Sequence, residues 1–184
     1  MNTALLLVDI QNDYFPGGKN ELVESDAAAA NAANVLAVFR QNFWPVYHVQ
    51  HISLQPGATF FIPDTDGVKI HASVQPASGE ELIIKHKPDS FLETDLQERL
   101  AMKKIKRLVI AGMMTHMCID TTVRSARAKG YEVVLLHDAC ATRDLLWAGK
   151  TIPAATIHGA FMAALDRAFA AVVPSRELEV NTED

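Results

Sequence analysis

The chain has 184 residues, 49% of them hydrophobic, and 17 Lys and Arg against 22 Asp and Glu give a formal charge of −5, enough apolar material for one sizeable core. Basic residues are scattered, Lys103 to Arg107 being the densest run, and no stretch reaches the roughly 18 to 20 apolar residues that span a bilayer, so neither a nucleic acid nor a membrane is expected as a partner. The apolar start lacks a basic leader and runs into Asp9, Asn12 and Asp13, and there are only two cysteines, so a cytoplasmic setting with Cys118 and Cys140 as free thiols is expected.

In chain order, short aliphatic runs predict strands over about 3–9, 44–50, 81–85, 107–112, 132–137 and 170–173. Between them, Ser25 and Asp26 read as the N-terminal cap of an Ala-rich helix over 26–42. Leu92, Leu96 and Leu100 are spaced for a helix over 92–104. A third helix is expected from Thr115 to Lys129, stopped by Gly130, and a fourth from Pro153 to about Arg167. The alternation predicts one α/β domain over 1–184, a three-layer α/β/α arrangement around a doubly wound, six-stranded, mostly parallel sheet of Rossmann-like type. The irregular stretch from Ile52 to Glu80, with adjacent Phe60 and Phe61, is long for a compact domain and reads as a functional or subunit-covering segment.

Three of the aliphatic runs stop on or near a reactive side chain. Asp9 follows Ala4–Val8, Lys85 follows Leu82–Ile84, and Cys118 lies six residues beyond Leu108–Gly112. Ligands of open parallel sheets bind beyond the carboxyl ends of the strands, so an acid, a cation and a thiol would converge there. Each has a plainer reading: Asp9 as a cap, Lys85 as a solvated strand end, Cys118 as a small buried hydrophobe. Lys87 rivals Lys85, because residues two apart on a strand point the same way. Gly112–Cys118 links a strand to a helix, which would set the sulfur near a helix N-terminus that favours a thiolate and whose N–H groups could hold an oxyanion. The turn after the first strand lacks the closely spaced glycines of a pyrophosphate cradle, which argues against a non-catalytic nucleotide-binding or structural module.

Leu7-Val-Asp-Ile-Gln-Asn-Asp-Tyr-Phe15, Ile84-Lys-His-Lys-Pro-Asp-Ser-Phe91 and Gly112-Met-Met-Thr-His-Met-Cys-Ile-Asp120, in this order, resemble the isochorismatase-like cysteine hydrolases, a superfamily that includes nicotinamidases and N-carbamoylsarcosine amidases. The resemblance covers nearly the whole chain, extending to Asp138–Thr142 and the His158 segment. It implies Asp9, Lys85 and Cys118 as catalytic residues, decides for Lys85 over Lys87, and implies a cis peptide between Met113 and Met114, with the Met114 and Cys118 N–H groups as oxyanion donors. Thr115 in the same turn, Gln11 and Phe91 join Met114 as expected substrate-binding or oxyanion residues.

The implied chemistry is cleavage of a C–N bond in a small amide, ureido or imide substrate through a thioester, with no cofactor. Vinyl-ether hydrolysis of an isochorismate-like acid is the alternative within the same fold. A homo-oligomer, dimer or larger, is expected partly from the resemblance. Nicotinamidases carry a metal-binding Asp-x-His after the second strand, where this chain reads His48-Val-Gln-His-Ile-Ser53 with no Asp. His48 and His51 would face opposite sides of a strand, so no metal site is expected and packing or solvent roles are assigned to both.

Overall fold

The computed structural model describes residues 2–179. Its strands are β1 (Thr3–Val8), β2 (Val46–His51), β3 (Glu81–Lys85), β4 (Arg107–Met113), β5 (Glu132–Ala141), β6 (Leu145–Trp147), β7 (Lys150–Ile152) and β8 (Ala171–Val173). Six of them form one sheet in the order β3-β2-β1-β4-β5-β8, with every neighbouring pair parallel, while β6 and β7 make a separate antiparallel hairpin. All six expected sheet strands are present.

Alternation along the central strands divides the core in two. Leu5, Leu7, Val109 and Ala111 point to one face, where they meet Ala28, Ala32, Leu36 and Phe39 of α1 (Ser25–Gln41). Ala4, Leu6, Val8, Leu108 and Ile110 point to the other, against Leu96 and Leu100 of α2 (Leu96–Met102), Val123 and Ala126 of α3 (Asp120–Ala128), and Met162 and Leu165 of α4 (Ala154–Leu165). Beyond their first residues, Thr3 and Arg107, β1 and β4 are apolar because both of their faces are covered, which gives the three layers.

Several boundaries moved for identifiable reasons. Glu24, in the left-handed region at φ 59°, precedes α1 without a side-chain cap, and Ser25 is already helical. α2 starts only at Leu96, because Ser90 to Asp95 turn on local bonds such as Thr94 Oγ1 to the Ser90 carbonyl. Pro153 stands before α4 rather than inside it, and the remote Asp144 caps the helix by accepting from Ala154 N at 2.7 Å. β5 continues past His137 to Ala141, after an irregularity in its register with β4 between Ile110 and Gly112.

The segment after β2 folds inward. Phe61, Val68, Ile70 and Val74 are core residues, and Phe61 N donates to Asp13 Oδ2 at 2.6 Å. This packing gives the long loop a structural role within its own chain.

Candidate active site

Strand order reverses about β1, whose two neighbours are β2 and β4. A crevice opens at such a point because the connections leave the sheet in opposite directions. Asp9 follows β1 directly, in the left-handed region at φ 54°, with its N–H donating to the Val49 carbonyl at 3.0 Å. The αL geometry is one that Asp tolerates better than most residues. The close approach of β4 depends on Gly112 at φ 138°, where a Cβ would lie 2.0 Å from the Val8 carbonyl oxygen. Beyond it the chain passes the cis Met113–Met114 peptide and a π-turn over Thr115–Ile119, which carries Cys118 into α3.

Lys85 ends β3, in register with His51 at the end of β2. Its ammonium lies 2.8 Å from Asp9 Oδ2, and both side chains are fully buried. Nζ also donates to the Lys87 and Pro88 carbonyls at 3.0 and 3.1 Å. The rivalry between the two lysines is thereby decided: the strand stops at Lys85, strict alternation ends with it, and Lys87 turns outward while offering its carbonyl to Lys85.

Beyond the Lys85 ammonium 2.8 Å from Oδ2, no donor among the described residues makes a hydrogen bond to either Asp9 oxygen. Lone pairs on this carboxylate are therefore open to a proton from a neighbour. Asp9, His51 and Cys118 bring an oxygen, a nitrogen and the sulfur within 4.8 Å of one another.

Electrostatics run against the thiolate that a helix N-terminus favours. Burial pushes the Cys118 thiol well up, the negative charge of Asp9 adds to this, and Lys85 opposes it without prevailing. Lys85 itself is held above its usual range: burial would lower it, but the attraction of Asp9 and Cys118 wins. Burial therefore disfavours a free-standing thiolate at Cys118, while Asp9 and Lys85 stabilise one another as an ion pair.

The other expected residues fall differently. Gln11 does not face the pit. Its Nε2 donates to the His51 and Val68 carbonyls at 2.8 and 2.7 Å, and its Oε1 accepts from His51 N at 2.8 Å, so the amide fastens the end of β2 to the inward-folded segment. Thr115 is fully buried, with Oγ1 3.0 Å from His158 Nδ1 and 3.3 Å from the Ala141 carbonyl. Phe91 packs in the helix-side core, its ring 5.9 Å from that of Tyr131 and beneath Lys129 Nζ at 5.5 Å. Met114 stands in the turn as expected, its carbonyl accepting from Met117 N and Ile119 N at 3.0 and 3.3 Å.

His51 is the site residue that sequence reasoning missed. His48 and His51 do face opposite sides of β2: His48 Nε2 lies 2.7 Å from Glu80 Oε2 on the far face, while His51 Nδ1 is 3.4 Å from Lys85 Nζ. Alternation separated the two rings but did not say which face held the crevice. Tyr14 is a second neighbour, its hydroxyl pKa pushed far up by burial and then by the charges of Cys118 and Asp9. Phe61 and Phe60 stand 4.6 and 5.9 Å from the Tyr14 ring, forming an aromatic flank. Asp9, His51 and Cys118 could in principle chelate a metal, but the Lys85 ammonium already sits against Asp9 and His51 and would repel a dication. The charge arrangement suits proton transfer.

A family model described as the isochorismatase domain matches residues 3–177. The isochorismatase family protein YddQ of Bacillus subtilis is 52% identical over 172 residues, covering 94% of this chain and 96% of the relative. A solved structure of an isochorismatase hydrolase from Oleispira antarctica superposes with a TM-score of 0.92 at 51% identity, over 96% of this chain and 95% of that one. Ureidoacrylate amidohydrolase RutB of Variovorax paradoxus is 26% identical over 190 residues, with 85% and 74% of the two chains covered.

Proposed function

The chain belongs to the isochorismatase family of hydrolases, and from that premise we propose that it is a cofactor-independent cysteine hydrolase cleaving the C–N bond of a small amide, ureido or imide compound. The observation that carries this reading is the meeting of Asp9 and Lys85, from the ends of β1 and β3, with Cys118, from the turn after β4, at the switch point of the sheet. The relative named as a ureidoacrylate amidohydrolase supports the amide class.

In this mechanism substrate displaces water from the mouth of the pit, and Asp9 takes the Cys118 proton as sulfur attacks the carbonyl carbon. A neutral thiol beside a carboxylate with open lone pairs suits this transfer, since no charge has to be stored on sulfur before the substrate arrives. Lys85 supplies a fixed positive charge as negative charge moves from carboxylate to sulfur and then to the tetrahedral oxygen. The Met114 and Cys118 backbone N–H groups are the proposed oxyanion donors. Protonated Asp9 then delivers its proton to the departing nitrogen, a thioester remains on Cys118, and Asp9 accepts a proton from the water that hydrolyses it.

A panel of small carboxamides, ureido acids and imides assayed for released ammonia or amine tests the reading. Wild-type turnover of at least one compound is expected, with Cys118→Ala reduced to background. Turnover that survives Cys118→Ala would contradict it.

A further inference from the structure

His51 has no role in the mechanism above, yet it lies inside the same cluster. Its main chain is held on both sides by Gln11, through His51 N to Oε1 and the His51 carbonyl to Nε2, both at 2.8 Å. Its ring lies with Nδ1 3.4 Å from Lys85 Nζ and its centroid 5.9 Å from that of Phe61. A lysine ammonium carries no acceptor, so an Nδ1–H would face it unfavourably, and the tautomer that fits carries the ring proton on Nε2. Burial and the Lys85 cation, opposed by Asp9, hold the imidazole neutral down to about pH 4, so this tautomer persists at neutral pH. Nε2 makes no hydrogen bond among the described residues, and His51 is half-buried while Asp9, Lys85 and Cys118 are sealed. The cluster therefore leaves one donor without a partner among the described residues, on the half-buried His51 ring.

We propose that His51 is a substrate-binding residue whose Nε2–H holds a second hydrogen-bond acceptor carried close to the attacked carbon, such as the distal carbonyl of an imide or acylurea. This rests on Cys118 being the nucleophile. It narrows the substrate class to compounds with a carbonyl under attack and a further acceptor one or two bonds away, because a site that presents a buried donor disfavours analogues that leave it unpaired.

The test compares two alkylating probes at Cys118, followed by mass spectrometry of the intact protein and its peptides. Each forms a thioether at Sγ with loss of iodide, the thiol proton passing to Asp9. Iodoacetamide carries a carbonyl acceptor beside the attacked carbon, whereas methyl iodide carries none. His51→Leu is expected to slow iodoacetamide by about threefold to tenfold, the worth of one neutral hydrogen bond, and to leave methyl iodide nearly unchanged. His51→Gln, which restores an N–H donor, should recover most of the lost rate. Equal slowing of both probes, or of neither, would overturn the proposal. Nitrogen-15 NMR of the wild-type imidazole reads the same point without a variant: the Nε2–H tautomer is expected, and Nδ1–H would overturn it. Failure of both probes to label Cys118 in the wild type would instead remove the nucleophile on which the inference stands.

Discussion

At the scale of single residues, the pit depends on charges that compensate one another. Lys85 is fully buried and carries its proton because Asp9 lies 2.8 Å away, and Asp9 is fully buried with no other charged partner in contact among the described residues. Removing one member leaves the other uncompensated, at a cost of about 3 to 5 kcal/mol. Lys85→Met is therefore expected to lose that much stability in urea unfolding together with nearly all turnover. Lys85→Met combined with Asp9→Asn should recover much of the stability and none of the turnover, and a double variant as unstable as the single one would refute the coupling. Asp9, Lys85 and Cys118 were legible in the sequence because aliphatic runs deliver them to strand ends. The structural contacts of Gln11, Thr115 and Phe91 were not legible, because nearness along the chain does not show where a side chain spends its hydrogen bonds or its surface. His51 was hidden for a related reason, since a period of two assigns a face without saying what lies across from it.

Among the elements, the junction of β1 and β4 fixes the distance between acid and thiol. Gly112 makes that junction possible, because any side chain there would collide with the Val8 carbonyl at 2.0 Å and would have to adopt φ 138°. Gly112→Ala is expected to destabilise by more than about 3 kcal/mol, as clashes at such special backbone positions do. A thermal midpoint within a degree or so of wild type would show that the two strands can part without penalty. The six sheet strands were readable from their unbroken aliphatic runs. The β6–β7 hairpin was not, because its strands have three residues each and its turn is Ala148-Gly149, at φ 50° and 74°, in place of the Asn-Gly or Asp-Gly pair that signals such a turn. The third helix was predicted as continuous from Thr115, whereas the π-turn that precedes α3 lies inside an otherwise ordinary helical pattern.

For the whole molecule, buried titratable groups confine stability to a window of pH. Burial lowers His48 and lowers His51 from 6.5 to about 4, so below pH 6.5 the unfolded chain takes up protons that the folded chain refuses, and stability falls on acidification. Glu80 adds to this at lower pH: its own burial is outweighed by bonds from Arg40, Ala77 N and His48, which hold it at about 2, and its contribution is lost as pH drops from 4.5 toward that value. On the alkaline side burial raises Cys118, and Cys140 to about 12, so above pH 9 the unfolded chain releases protons that the folded chain keeps, and stability falls again. Thermal midpoints are expected to form a plateau between about pH 6.5 and 9, with the alkaline slope reduced in Cys118→Ala; a midpoint that climbs steadily above pH 9 would contradict this. The central claim, attack by Cys118 to form a thioester, is tested most directly by rapid acid quench of the enzyme during turnover of an amide found in the ammonia assay, followed by mass spectrometry of its peptides. The acyl mass is predicted on the peptide bearing Cys118 and nowhere else, disappearing as substrate is exhausted; sustained turnover with Cys118 unmodified at every quench time, or with the acyl group on Cys140, would contradict it.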